Sequence, residues 1–297
     1  MTQRTVTRRI TARDTRDGAG VSLKRSLGST PGDRIDPFLM LDEFYSDRAE
    51  DYIAGFPAHP HRGFETVTYM LAGNMQHRDH MGNEGNLGPG DVQWMTAGRG
   101  VIHSEMPQQR EGLLRGFQLW VNLPADEKMR PAVYQDINSA RIPVYRGEGF
   151  SLHHIAGELA LPGGHSLGYV NGVDGQQYST QPVYADIRFT SAQALKLGLH
   201  AGHNAAVYCY DGSLEIGGER ICAGTAALLS QGDSVVLDGE PGCGALLIAG
   251  KPIGEPVVQY GPFVMNSNAE IEQALRDYRD GTLTDWGGVE SSLFVPI

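Results

Sequence analysis

The chain has 297 residues, and 35 acidic against 24 Lys and Arg residues give a formal net charge of -11. Apolar residues at 40% and charged residues at 20% are the proportions of an ordinary globular protein and exclude disorder. The acidic balance excludes a basic, phosphate-binding surface, so no direct nucleic-acid contact is expected. No apolar run approaches the roughly 18–20 residues that span a bilayer. The N-terminal stretch carries charge but no apolar signal segment. Cys209, Cys222 and Cys243 are odd in number and form no Cys-x-x-Cys pair, which reads as structural thiols in a reducing compartment. A cytoplasmic protein is expected.

The length suits two domains of about 100–150 residues each. Glycine occupies 39 positions, well above its usual share of about 7%, which favours many turns and short strands over helix bundles. In chain order, Val6–Ile10 and Val21–Arg25 alternate as strands around the Gly18-Ala19-Gly20 loop. Asp36–Phe44 reads as a buried strand, with Asp42 and Glu43 as loop-capping acids. His59–His61, Thr66–Leu71, Asn74–His77, Val92–Met95, Val101–Glu105 and Gly116–Pro124 follow as strands. The glycine-rich run from Gly82 to Asp91 reads as turn, and residues 124–131 as a surface turn or single helical turn. Residues 132–150 are expected to cross into a second domain. There Tyr184–Phe189, Ala194–Leu199, Ala206–Tyr210 and Ala226–Ser230 repeat the strand style. Short strands at 8–12-residue spacing suggest a sandwich or barrel, and a faint echo between the halves suggests a duplicated one. One helix is expected over 268–280. Ser267 and Glu270 form its capping box, Gly281 its stop, and Ile271, Ala274, Leu275 and Tyr278 its apolar stripe.

Two pairs share one spacing: His59-Pro60-His61 and His103-Ser104-Glu105. On an extended strand, residues i and i+2 face the same side. Two such strands facing each other would therefore converge three imidazoles and one carboxylate, a donor set that iron, nickel, copper, manganese or zinc accepts. Glu105 could also serve as a base, since a carboxylate ligand can loosen and take a proton. Glu65, four positions after His61, is the competing carboxylate, either a ligand in place of Glu105 or a group supporting the ligands; the supporting role is favoured. His77 is expected near a cavity mouth and His80 in a solvated loop. In the second half, His200 and His203 are spaced to opposite faces of a strand. His153, His154 and His165 have no carboxylate at useful spacing, so that half is expected to hold no metal.

Several segments together resemble the pirin family of the cupin superfamily. They are Asp36–Phe44, His59–Val67, Gly90–Gly100, His103–Pro107, Gln118–Pro124 and Gly261–Asn266. The resemblance implies an all-β chain of two tandem cupin (jelly-roll) barrels with a short C-terminal helix. Residues 1–135 would be the metal-binding barrel and residues 136–297 a second barrel without metal, with the terminal segment and helix. It further implies one divalent transition metal, iron first, with Ni, Cu, Mn, Co or Zn as alternatives, held by His59, His61, His103 and Glu105. The implied activity is that of quercetinases, which open the central ring of a flavonol with O₂ and release carbon monoxide, with Glu105 as the catalytic base. The partners would then be a small aromatic substrate and O₂. The alternative role in the family is an iron-containing, redox-responsive protein that binds a transcriptional or metabolic partner. His80 stands where many relatives have Ser.

Overall fold

A computed structural model describes residues 2–285; residue 1 and residues 286–297 of the two expected halves lie outside the described residues. Among the described residues the regular structure is mostly strand, with one helix of more than a turn, Asn268–Arg279. Among the described residues, no helix is long and apolar enough to cross a membrane.

Two compact units emerge. One takes Asp14–Arg25, Leu39–Ser139 and the chain from Ile253 onward. The other takes the chain through Arg13, Ser26–Phe38 and Ala140–Pro252. Sequence reading set one boundary between residues 135 and 136. Here the termini exchange: the first strand, Val6–Thr11, pairs with Thr225–Leu229, and the C-terminal helix packs in the other unit. Such long-range pairing leaves no trace in local composition. The strand Val133–Ile137 also stays with the first unit, paired to Val92–Thr96.

The first unit contains two antiparallel sheets. The larger runs in the order Val133–Ile137, Val92–Thr96, Phe64–Ala72, Leu114–Asn122, Phe38–Ser46, Val21–Leu27, Arg13–Asp17. The smaller runs Phe56–His61, Val101–Pro107, Met75–Asp79, Glu84–Leu87. Their inner faces share a core of Leu23, Phe44, Met70, Met75, Leu87 and Leu114, so the sheets are packed against each other as in a jelly roll. Glu84–Leu87 corrects the reading of residues 82–91 as turn. The glycine that suggested a turn, Gly85, sits in a strand because a Cβ there would run into the Asp136 carboxylate.

The second unit repeats the plan with seven and six strands. Its interior is filled by aliphatic and aromatic side chains from both sheets, among them Leu152, Ile187, Leu195, Val207, Leu237 and Leu247. The strands Val144–Gly147 and Phe150–Ala156 within it fall in or beside the stretch read as a crossing.

The helix forms as its capping residues dictate. The Glu270 amide donates to Ser267 Oγ (3.3 Å), while the Glu270 carboxylate reaches back to the Asn266 amide (3.2 Å) and the Ser267 hydroxyl (2.7 Å). Gly281 closes it at φ +73°. Of the expected stripe, Ile271 and Ala274 are buried, whereas Leu275 and Tyr278 remain exposed. The buried face packs chiefly on the short hairpin Val258–Tyr260 and Phe263–Met265, with Ile102 and Leu283 at its edge.

Candidate metal centre

The two strands singled out by spacing are neighbours. Phe56–His61 and Val101–Pro107 run antiparallel, with His59 directly opposite His103 and His61 opposite Val101. Residues opposite each other on an antiparallel pair share a face, and His61 joins them by the i, i+2 rule. The three rings therefore gather: centroids lie 4.5 Å apart for His59–His103, 4.7 Å for His59–His61 and 4.8 Å for His61–His103. One nitrogen from each falls within 4.8 Å of the others.

Between His103 and Glu105 the register slips: Glu105 faces Phe56, so Pro57 and Ala58 together face Ser104. This is a β-bulge at a proline, which has no N–H to give to the ladder. The bulge has a local use. The Pro57 carbonyl turns to accept from His59 Nδ1 at 2.8 Å, leaving His59 Nε2 with a free lone pair. That Nε2 stands 3.0 Å from His61 Nε2. Two nitrogens bound side by side to one ion at about 2.1 Å would be about 3 Å apart.

His103 completes the set. Its Nδ1 lies 2.9 Å from His77 Nε2, and its Nε2 is buried with no hydrogen-bond partner. A buried, partnerless imidazole nitrogen aimed among two other imidazoles fits a metal. Burial, followed by the neighbouring rings, pushes the pKa of His61 and of His103 well below 6.5, so both are neutral at physiological pH, the form in which an imidazole can bind a metal. Phe64 and Trp120 stand edge-on to His61, at 5.1 and 5.4 Å between centroids, and wall the group with apolar surface.

Glu105 is buried beside this group but is not among the three clustered ligands. Its carboxylate accepts from the Thr68 hydroxyl at 3.0 Å and from Gln118 Nε2 at 2.9 and 3.2 Å. Gln118 is held in that sense by Trp120, whose indole N–H donates to Gln118 Oε1 at 3.0 Å. His59, His61, Glu105, Gln118 and Trp120 line one cavity of about 650 Å³, a size typical of small-molecule sites.

Other candidates land elsewhere. Glu65 does not share a face with His61: the chain turns at Gly63 (φ +89°), and Glu65 begins the next strand, in the other sheet. It is buried and accepts from Thr96 Oγ1 at 2.5 Å. Burial raises its pKa from the ordinary 4.5 to about 7, against the pull of Thr96, Trp94 and Arg130. Because the folded value lies above the unfolded one, the folded state holds the proton more tightly. Stability is therefore full below about pH 4.5, falls as pH rises, and has lost up to roughly 3 kcal/mol above pH 7. Glu65→Gln should flatten this fall, as read by urea unfolding at pH 5 and pH 8; an unchanged slope would refute it. His77 is buried behind His103 rather than at the cavity mouth. His80 is exposed in a turn, as expected, its backbone N–H bonded to the Ile102 carbonyl. In the second unit, His154 is buried on Ser166 Oγ, and the rings of His200 and His203 lie tilted, 4.7 Å apart, beside a turn. His165 does meet a carboxylate, Glu158 of the adjacent strand, but in solvent.

Comparison with known proteins decides the family. Residues 20–121 match the Pirin family and residues 184–284 the Pirin C-terminal cupin domain. The chain belongs to the pirin family. A Pseudomonas aeruginosa protein with the provisional name quercetin 2,3-dioxygenase is 52% identical over 271 residues, covering 90% of this chain and 93% of its own. Human pirin is 39% identical over 283 residues, covering 93% and 92%. The crystal structure of a quercetin 2,3-dioxygenase from Acinetobacter baumannii superposes with TM-score 0.84 at 32% identity, over 95% of this chain and 99% of that one. The fold expected from sequence, two cupin barrels, is thus the fold of the family.

Thr68, His77, Gln118 and Trp120 were not named as site residues from sequence. A signal existed for two of them: Gln118 and Trp120 are i, i+2 on a strand that sequence reading found.

Proposed function

We propose that the chain is a metal-dependent dioxygenase of quercetinase type, acting on a flavonol or related phenolic with O₂. His59, His61 and His103 would hold one divalent metal, iron first, with Glu105 as the fourth ligand and base. The single observation that carries this reading is the set of three converged imidazoles, with His103 Nε2 buried and unpartnered, in one cavity with a carboxylate. The names of the similar proteins support the reaction class.

The bound metal would supply a Lewis-acidic seat for the substrate oxygen and the electron exchange that lets a closed-shell phenol react with O₂. The chain's own groups do the rest. Glu105 takes the proton of the flavonol 3-hydroxyl onto a carboxylate oxygen. Thr68 and Gln118 hold that carboxylate in place. His59 is kept in the tautomer with Nε2 bare by the Pro57 carbonyl. Trp120, Phe56 and Met40 supply apolar wall that excludes water from the reacting ring.

Iron-loaded protein mixed with quercetin under O₂ should bleach the flavonol absorbance and release carbon monoxide. Glu105→Gln should lower kcat by about 10²–10⁴. No turnover with iron, nickel, manganese or copper would remove the reading.

A further inference from the structure

The cavity has a second polar group that the chemistry above does not use. Arg25, on the strand Val21–Leu27, lines the same cavity as His59 and Glu105. Its Nε donates to Asp42 Oδ1 at 2.8 Å and its Nη2 to Asp42 Oδ2 at 2.7 Å. Nη2 also reaches Asp17 Oδ2 at 3.1 Å. Asp42 is buried, with its side chain 4% exposed, and the two-pronged contact fixes the guanidinium plane. The third nitrogen, Nη1, makes no hydrogen bond to any described residue, and the Arg25 side chain is 22% exposed.

The surroundings say what such an edge can take. Leu23 alternates with Arg25 on one strand, and Met40 and Phe44 flank Asp42 on the next, so the guanidinium edge is framed by apolar surface. That frame suits the face of an aromatic ring. One cation already meets two carboxylates, so a ligand carboxylate would meet local negative charge. A neutral oxygen would not. A phenolic hydroxyl accepts from Nη1–H and can also donate to a carboxylate lone pair, which a ketone or ether cannot.

We propose that Arg25, braced by Asp42, is a specificity-determining residue that binds a neutral phenolic hydroxyl on the part of the substrate remote from the metal-binding oxygen. The substrate class is then a polyhydroxylated aromatic, and not a bare flavonol or an aromatic acid. This rests on the dioxygenase reading above for the orientation of the ligand.

The test is equilibrium binding to the metal-loaded full chain under argon, by calorimetry. The probes are quercetin and 3-hydroxyflavone, which shares the 3-hydroxyl and 4-carbonyl but lacks the other hydroxyls. Arg25→Lys keeps a charge on Asp42 but removes the planar edge. The wild type should bind quercetin at least tenfold tighter than 3-hydroxyflavone. Arg25→Lys should lose at least tenfold for quercetin and less than twofold for 3-hydroxyflavone, with the fold retained as checked by circular dichroism. If Arg25→Lys fails to fold, the double variant Arg25→Met/Asp42→Leu removes the pair as a unit and gives the same readout. Equal losses for both ligands, or none, would overturn the proposal while leaving the dioxygenase reading standing. If the wild type binds neither flavonol, that reading falls and the proposal falls with it.

Discussion

Gly63→Ala should destabilise the first unit by roughly 3–5 kcal/mol and, on the proposed reading, strip the histidine cluster of its metal affinity. Gly63 lies two residues after His61 and has φ +89°, a conformation that costs a side-chain-bearing residue about 1–3 kcal/mol. A Cβ there would also collide with the Val264 carbonyl oxygen and sit 2.8 Å from the Met265 sulfur. Backbone cannot yield as a side chain can, so a further few kcal/mol of overpacking follows. The same turn is pinned by Lys128, a buried ammonium that donates to the Gly63 carbonyl (2.7 Å), Asn122 Oδ1 (2.6 Å) and the Val264 carbonyl (3.1 Å). Burial lowers the Lys128 pKa to about 8, against the pull of Glu255 and Glu270. Moving the turn therefore disturbs the end of the ligand strand and the buried charge together. Denaturant unfolding monitored by fluorescence checks this; a variant within about 1 kcal/mol of the wild type would contradict it.

The second large effect concerns His77. For His103 Nε2 to bind a metal, its Nδ1 must carry the proton and donate to His77 Nε2, 2.9 Å away. His77→Ala removes that acceptor and leaves a ring free to rotate. Metal affinity should fall about 10–100-fold, while His77→Gln, which can place an amide oxygen near the lost nitrogen, should recover part of it. Competition with a chromogenic chelator measures both. Equal affinities for the wild type and His77→Ala would show that His103 needs no brace.

The histidine spacing was legible because strand alternation is local: His59 and His61 declare a common face within three residues. That the second pair lies opposite the first is a long-range fact of the ladder, and sequence reading reached it only by assuming that two such strands face each other. Glu105 shows the limit of that assumption. The i, i+2 rule placed it with His103, and it does line the same cavity, but the bulge at Pro57 shifts its pairing and hydrogen bonds from Thr68 and Gln118 hold its carboxylate. Glu65 was assigned to the His61 face on the premise of one unbroken strand, which the Gly63 turn breaks. His77 lies beyond the first hairpin, and only the pairing of Met75–Asp79 with Val101–Pro107 brings it against His103. Glycine misled once, at Gly85, where it marks close approach to Asp136 rather than a turn.

The central claim is that His59, His61 and His103 hold one transition-metal ion. Elemental analysis of the chain, purified without added metal or chelator and then reloaded with iron, tests it beside His61→Ala and His103→Ala variants of verified fold. The account predicts about one ion per wild-type chain and less than about a tenth of that in each variant. A wild type that takes up no transition metal, or variants that retain a full equivalent, would contradict it.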